Sequence, residues 1–199
     1  MPPMPPVTQA LLIANVAMFC IGLFIGPWFT RLLALWPLSG GFLPWQVGTY
    51  AFLHGSMAHL FFNMLGLWMF GAELERIWGP KRFVQFFAAS VLTAAAMQLI
   101  VNAWMGSPFP TVGASGGLFG LLLAYAMMFP NRTIMPLFPP IPMKAKTFVA
   151  LYGGLELILG VTGTQAGVAH FAHLGGMLGG YLMIRYWRGQ PPFGRQRRR

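Results

Sequence analysis

The chain has 199 residues, of which 56% are hydrophobic and 8% are charged, with a formal net charge of +10 and only three acidic residues. Soluble domains carry about a quarter charged residues, and here no charged residue interrupts positions 83–131. The composition therefore excludes an ordinary soluble protein and predicts a membrane protein. The chain is too short to hold a separate globular domain beside its apolar segments, and its single cysteine, Cys20, excludes an internal disulfide.

Breaks in the apolar pattern separate six segments that we predict to be membrane-crossing helices, since one crossing takes about 20 residues. In chain order they are residues 8–26, 57–75, 83–104, 114–129, 147–161 and 167–187. The first has no basic leader and no small-residue cleavage site, so we expect a retained span rather than a signal peptide. Residues 27–50, rich in Trp, Pro and Gly, predict a loop lying in the membrane interface. The expected fold is an all-α polytopic membrane protein, a single domain over residues 1–199.

Basic residues fall on alternate connections between these helices. They lie after the second helix (Arg76, Lys81, Arg82), after the fourth (Arg132, Lys144, Lys146), and in the tail 188–199. Basic residues favour the cytoplasmic side, so we expect both termini to be cytoplasmic and the second, fourth and sixth helices to run inward from the outer face. We expect the arginine-rich tail to contact anionic lipid rather than nucleic acid.

Polar side chains occur near the outer ends of the same three helices. His59 and Asn63 lie in the first turns of the second helix, Ser115 at the start of the fourth, and His170 and His173 in the first turns of the sixth. At a rise of 1.5 Å per residue, they lie roughly 5 to 10 Å below the outer helix ends. Polar groups in hydrocarbon are costly, so this layer is a candidate functional site.

Glycines at four-residue spacing mark the fourth and sixth helices. The pairs are Gly113 with Gly117, Gly116 with Gly120, Gly175 with Gly179, and Gly176 with Gly180. Such pairs let two helix backbones approach closely. A serine and a histidine must come within about 3 Å for proton transfer, so the spacing predicts that glycine brings the fourth helix against the sixth.

Three motifs accompany this pattern: HGSMAHLFFN (54–63), GASGGLFG (113–120) and AHLGGMLGG (172–180). Together, and in this order, they resemble the rhomboid intramembrane serine proteases. The resemblance covers nearly the whole chain and implies a six-helix rhomboid bundle with an interfacial loop between the first two helices.

The resemblance also implies roles for individual residues. Ser115 would be the nucleophile and His173 the general base, while His59, Asn63 and the Ser115 backbone N–H would form the oxyanion hole. Phe119 would stack on the ring of His173. The supporting glycines are Gly113, Gly116, Gly176 and Gly180.

The acids are few. The chain has no aspartate, so a Ser-His dyad is expected, with His173 oriented by packing. Glu156 on the fifth helix is either a proton-relay acid or a residue that bonds within the bundle. Glu75 resembles a family acid that helps to anchor the first loop, although Gln46 follows Trp45 where many relatives have Trp-Arg.

A substrate helix must unwind locally to expose its carbonyl groups, so we expect the substrates to be transmembrane segments with helix-weakening residues near their outer end. We expect the protein in a bacterial inner (plasma) membrane. Two other classes stay open: an inactive rhomboid relative that binds membrane clients, and a small proton-coupled transporter. The four histidines could hold a metal or haem, but HExxH is absent and no cysteine or acid is expected to complete a cluster. We therefore expect no metal or cofactor, and no role beyond packing or hydrogen bonding for His54 and His170.

Overall fold

The computed structural model describes residues 3–137, 139–163 and 169–193. Its α-helices are α1 (Pro6–Ile25), α2 (Pro27–Leu33), α3 (Gln46–Thr49), α4 (Met57–Gly66), α5 (Ala72–Trp78), α6 (Pro80–Met105), α7 (Ser115–Met128), α8 (Ala145–Thr162) and α9 (His170–Trp187). A 3₁₀ turn, Tyr50–Phe52, follows α3, and a π-helical turn, Leu67–Gly71, joins α4 to α5. A short antiparallel ribbon pairs β1 (Thr133–Ile134) with β2 (Met143–Lys144).

A helix occupies each of the six segments predicted to cross the membrane, with bounds that differ by a few residues. The second span is continuous from α4 to α5 and contains the π-helical turn, which the apolar pattern does not reveal because it changes the hydrogen bonding and not the composition. Within the described residues, α1, α6 and α8 are long and apolar enough to cross a membrane. Residues 167–168 of the last predicted helix and 194–199 of the basic tail lie outside the described part of the chain.

Glycine and proline set the bounds of the longest helix, α6. Pro80 occupies its first turn, where the missing N–H costs nothing, after Gly79 at a φ of 76°. Gly106 ends the helix in the left-handed conformation, with a φ of 71°, and its N–H donates to the Asn102 carbonyl. The connection that follows α6 leads directly to the start of α7.

Glu75 on α5 holds the N-terminus of α1. One carboxylate oxygen accepts the N–H of Val7 at 2.9 Å, and the other accepts the N–H and the hydroxyl of Thr8 at 2.7 and 2.8 Å. A carboxylate here satisfies free N–H groups and complements the helix dipole. The expectation that Glu75 anchors the first loop is therefore corrected, because these bonds tie α5 to α1.

The predicted interfacial loop contains α2 and α3 and is organised around Gln46, whose side chain is fully buried. Its carbonyl oxygen accepts the N–H groups of Trp36 and Leu43 at 3.2 and 3.1 Å. Its NH₂ group donates to the carbonyl oxygens of Arg31 and Leu32 at 3.3 Å each. One amide thus ties together residues on both sides of the loop.

The most extensive helix contacts are those among α6, α7 and α9, and glycine permits the contact between α7 and α9. A β-carbon on Gly176 would lie 1.9 Å from the carbonyl oxygen of Gly116, and one on Gly180 would lie 3.1 Å from the Cα of Gly120. The prediction that glycines bring these two helices together is confirmed. On its other side, α9 meets α6, where a β-carbon on Gly179 would lie 1.9 Å from a side-chain oxygen of α6.

The opposite end of α7 is held by Arg132. Its guanidinium donates to Glu73 on α5 and, at 3.0 Å, to the hydroxyl of Tyr125 on α7. Hydrogen bonds to Tyr125 and then to Glu73 raise the pKa of Arg132. This cluster lies at the end of α7 farthest from Ser115, which begins the helix.

Candidate functional site

Ser115 is the first residue of α7, and the backbone before it is fixed by the first loop. Leu35 and Thr111 exchange backbone hydrogen bonds of 3.0 and 2.9 Å, and the N–H of Gly113 donates to the Tyr50 carbonyl at 3.0 Å. Gly113 adopts a φ of 125°, which L side chains rarely tolerate. These bonds hold the turn that places the Ser115 hydroxyl at the N-terminal end of α7, where α7 packs against α9.

The hydroxyl of Ser115 meets the imidazole of His173, one turn into α9. Ser115 Oγ and His173 Nε2 are 2.7 Å apart, and the histidine is 9% exposed. The distance is that of a short O–H···N hydrogen bond. The close packing of Gly116 against Gly176 brings α7 and α9 together next to this pair.

Phe119, one turn after Ser115, stacks on the ring of His173. The ring centroids are 4.3 Å apart and the planes differ by 5°. The contact restricts rotation of the imidazole, as the family resemblance implied.

Glu156 on α8 lies against the far side of the same imidazole. Its Oε2 atom is 2.6 Å from Nδ1 of His170 and 2.9 Å from Nδ1 of His173. The first contact is a hydrogen bond, while the second lies off the direction of a good hydrogen bond, since His173 Nδ1 has no such partner in the described chain. The expectation that packing alone orients His173 is therefore wrong: a carboxylate also contacts it.

Sequence reasoning left this pairing open, although a signal for it existed. An acid in the middle of an apolar helix needs a partner, and histidines three residues apart offer one helical face. The face of α8 that carries Glu156 cannot be matched to α9 from sequence alone.

Within the described residues, Glu156, His170 and His173 form the group of side chains that could hold a metal ion, since their ligand atoms lie within 4.8 Å of one another. The expectation that no acid completes a histidine cluster is thus corrected. Ligands of a tetrahedral zinc at 2.0 Å are about 3.3 Å apart, whereas Glu156 and His170 are 2.6 Å apart. The short distance fits a hydrogen bond between Glu156 and His170, in which a proton occupies the place that a metal would take.

The proposed oxyanion donors lie on α4. His59 and Ser115 both lie next to Gly113. A β-carbon on Gly113 would be 2.8 Å from the His59 ring and 3.5 Å from Ser115 Oγ. Asn63 is 4% exposed, and its NH₂ group donates to the His59 carbonyl at 2.9 Å. An amide NH₂ has two protons, so one donor of Asn63 remains beyond this bond. The Ser115 N–H, at the first position of α7, has no partner in the helix's own ladder.

His54 lies in the turn just before α4 and packs edge-on against His59, with ring centroids 5.0 Å apart. Both of its ring nitrogens are buried and lack a hydrogen-bond partner in the described chain. Burial, and to a smaller extent the neighbouring His59, lowers the pKa of His54 to about 4.

A cavity of about 340 Å³ opens beside Ser115 and His173. Its wall includes Gly55, His59, Gln98 and Phe109. Sequence reasoning missed Gln98, whose NH₂ group donates to Asn102 at 2.8 Å along α6. Two amides one turn apart in an apolar helix were the available signal.

Comparison with known proteins gives a family match. Residues 42–189 match the family model described as Rhomboid domain. The chain is 31% identical over 145 residues to Rhomboid protease GluP of Bacillus subtilis, an alignment that covers 69% of this chain and 25% of the relative. It is 32% identical over 141 residues to Rhomboid protein 1, mitochondrial, of Saccharomyces cerevisiae, covering 66% of this chain and 38% of the relative.

A longer alignment with Rhomboid protease GlpG of Yersinia pestis is 27% identical over 194 residues, covering 92% of this chain and 62% of the relative. The chain therefore spans less than two thirds of the length of these relatives.

Proposed function

This chain belongs to the rhomboid family, and we propose that it is an intramembrane serine endopeptidase. It is an integral membrane protein, as the family and the apolar helices indicate. The observation that carries the proposal is the 2.7 Å contact between Ser115 Oγ and His173 Nε2. A serine is weakly nucleophilic until a base accepts its proton, and this contact supplies that base.

In the proposed reaction, Ser115 Oγ attacks the scissile carbonyl carbon while its proton passes to Nε2 of His173. The negative charge that develops on the carbonyl oxygen is met by the Ser115 N–H and by side-chain donors of His59 and Asn63. The amide C–N bond then breaks, and His173 returns the proton to the leaving amine. Water next attacks the acyl carbon and gives a proton to His173. The bond from that carbon to Ser115 Oγ then breaks, His173 returns the proton to Oγ, and the new carboxyl terminus is released.

The substrates we propose are transmembrane segments of membrane proteins, which reach the site from the lipid bilayer. A helical segment hides its carbonyl groups in its own hydrogen bonds, so residues that weaken a helix near its outer end would favour cleavage. The cavity beside Ser115, of about 340 Å³, is large enough to admit side chains of an unwound segment.

We further propose a bacterial plasma membrane location with both termini cytoplasmic, and a site close to the outer face. The support for the orientation is the placement of basic residues on alternate connections. The site lies at the start of α4, α7 and α9, away from the cluster of Arg132 at the other end of α7.

A fluorophosphonate probe tests the proposal. We expect the purified protein to be labelled, and both Ser115→Ala and His173→Ala to abolish labelling, because the first removes the nucleophile and the second removes the base. Labelling that survives Ser115→Ala contradicts the proposal. A folded wild-type protein that binds membrane clients but is neither labelled nor able to cleave them would be an inactive relative.

A further inference from the structure

Glu156 is a buried acid on α8 whose carboxylate faces two imidazoles of α9. It is 9% exposed, and its contacts in the described chain are with His170 at 2.6 Å and His173 at 2.9 Å. A carboxylate within an apolar helix is costly unless it is paired. The two histidines are therefore the partners that make this buried position tolerable.

Gly160, one turn beyond Glu156, lies where α8 packs closely on α9. A β-carbon on Gly160 would lie 3.1 Å from the Phe171 ring and 3.2 Å from the β-carbon of His170. These distances are shorter than ordinary van der Waals contacts, so a side chain at this position would press against Phe171 and His170. The carboxylate thus reaches α9 because the helices are close at this point.

The carboxylate determines which nitrogen of His173 carries the proton. A carboxylate oxygen only accepts, so its position 2.9 Å from Nδ1 favours the tautomer with the proton on Nδ1. Nε2 is then free to accept the proton of Ser115, from which it is 2.7 Å away. The contact lies off the ideal hydrogen-bond direction. The attraction between the carboxylate and the Nδ1–H group nevertheless operates, because it depends on their distance and is stronger in a buried site.

His170 holds the carboxylate in this position. Its Nδ1–H donates to Glu156 at 2.6 Å, and its ring is 5% exposed. Two imidazoles therefore lie against one oxygen atom, and the contact with His170 is the shorter. Nothing in this arrangement requires a proton to move to Glu156.

From this geometry we infer that Glu156 is a positioning residue that acts through His173 and is held by His170, so that the site is a chain of contacts from Ser115 to His173 to Glu156. When His173 accepts the serine proton, the imidazolium formed is neutralised by the adjacent carboxylate. The inference rests on the proposed function, because it assigns Glu156 a role in that reaction.

The test compares Glu156→Gln and Glu156→Asp in the full chain, reconstituted in liposomes with a cleavable transmembrane segment. In Ser-His-Asp enzymes, an amide in place of the acid favours the wrong tautomer and lowers kcat by about 10⁴. Because packing by Phe119 also orients His173, we expect a smaller fall in kcat for Glu156→Gln, at least about tenfold, with KM little changed. Glu156→Asp keeps the charge and should recover part of the rate.

Nitrogen NMR of labelled histidine separates positioning from a structural role. We expect the wild-type protein to carry the His173 proton on Nδ1, and Glu156→Gln to move it toward Nε2. A structural disturbance alone would lower activity without moving the proton. His170→Gln should lower kcat less than Glu156→Gln, because the carboxylate remains.

Glu73→Gln is the matched control. It also removes a carboxylate, but one that lies about 20 Å from His59 along the helical span α4–α5, and so away from the site. It should retain the wild-type kcat. The inference is overturned if Glu156→Gln keeps both the wild-type kcat and the Nδ1 tautomer. If Glu156→Gln does not fold, the absence of any fall in kcat in both Glu156→Asp and His170→Gln overturns it. If the wild-type protein is not labelled at Ser115, the proposed function is contradicted instead. The NMR measurement reports the His173 tautomer independently of activity, so the two failures can be told apart.

Discussion

Gly116 and Gly176 touch through their backbones: a β-carbon on Gly176 would lie 1.9 Å from the Gly116 carbonyl oxygen and 3.0 Å from its Cα. No side chain can occupy that space without moving α7 away from α9. Ser115 comes just before Gly116 on α7, and His173 lies one turn before Gly176 on α9. The helix separation at this contact therefore also sets the distance between their reacting atoms.

Gly176→Ala should therefore destabilise the protein and lower labelling of Ser115. Overpacking costs about 1 to 3 kcal/mol, and backbone atoms cannot move aside as a flexible side chain can. Thermal unfolding in detergent measures the first effect and the fluorophosphonate rate the second. Gly154→Ala on α8 is the matched control, because a β-carbon there meets nothing within 4 Å and alanine favours a helix. Equal stability of the two variants would contradict this account of the contact.

Asn63→Ala should lower kcat by about 10² to 10³, the usual cost of removing one oxyanion donor, with a smaller effect on KM. Cleavage of a transmembrane substrate measures both constants. Asn15→Ala is the matched control: Asn15 on α1 is also buried, also donates to the carbonyl four residues earlier, at 2.7 Å, and also leaves its Oδ1 without a partner in the described chain. If both variants lost the same activity, the effect of Asn63 would belong to packing and not to the oxyanion.

Glu75→Gln should lower the thermal stability, because hydrogen bonds to a charged acceptor contribute about 1.5 to 3 kcal/mol and Glu75 makes three of them to α1. Thr8→Val removes the hydroxyl contact alone and should have the smaller effect. Calorimetry in detergent ranks the two variants. A larger loss in Thr8→Val than in Glu75→Gln would show that the carboxylate does not hold the N-terminus of α1.

Acid should destabilise the protein through His54. Its pKa is about 4 in the folded protein and about 6.5 when unfolded, so the unfolded state binds the proton first as the pH falls. The stability that His54 contributes is present above pH 6.5 and is lost as the pH drops toward 4. Urea unfolding between pH 7 and pH 4 should show a shallower decline in His54→Gln than in the wild type. Identical slopes would rule out His54 as a source of the decline.

The family, the helical bundle and the glycine contact between α7 and α9 were predictable, and all three are confirmed. They were predictable because each depends on local composition or spacing: apolar length for the spans, and four-residue repeats for Gly116 and Gly176. The roles of Ser115, His173, His59, Asn63 and Phe119 came from motif resemblance and stay predictions, although Ser115 and His173 lie within hydrogen-bonding distance.

Other features depended on contacts between distant segments. The π-helical turn Leu67–Gly71 changes the rotation of α5 relative to α4, and hydropathy does not register such a turn. Gln46 holds the first loop with four bonds, yet in the sequence it is one amide among polar loop residues. Glu75 was expected at the loop and is bonded to α1.

The sequence by itself determined that this chain crosses a membrane as a helical bundle, and which few polar residues it carries there. Apolar length and residue type are sufficient for that, because hydrocarbon excludes unpaired polar groups whatever the packing. Only the tertiary structure decided that Glu156 faces His170 and His173. Each residue turns a helix by about 100°, so the partner of a side chain on α8 depends on the rotation and depth at which α8 packs on α9.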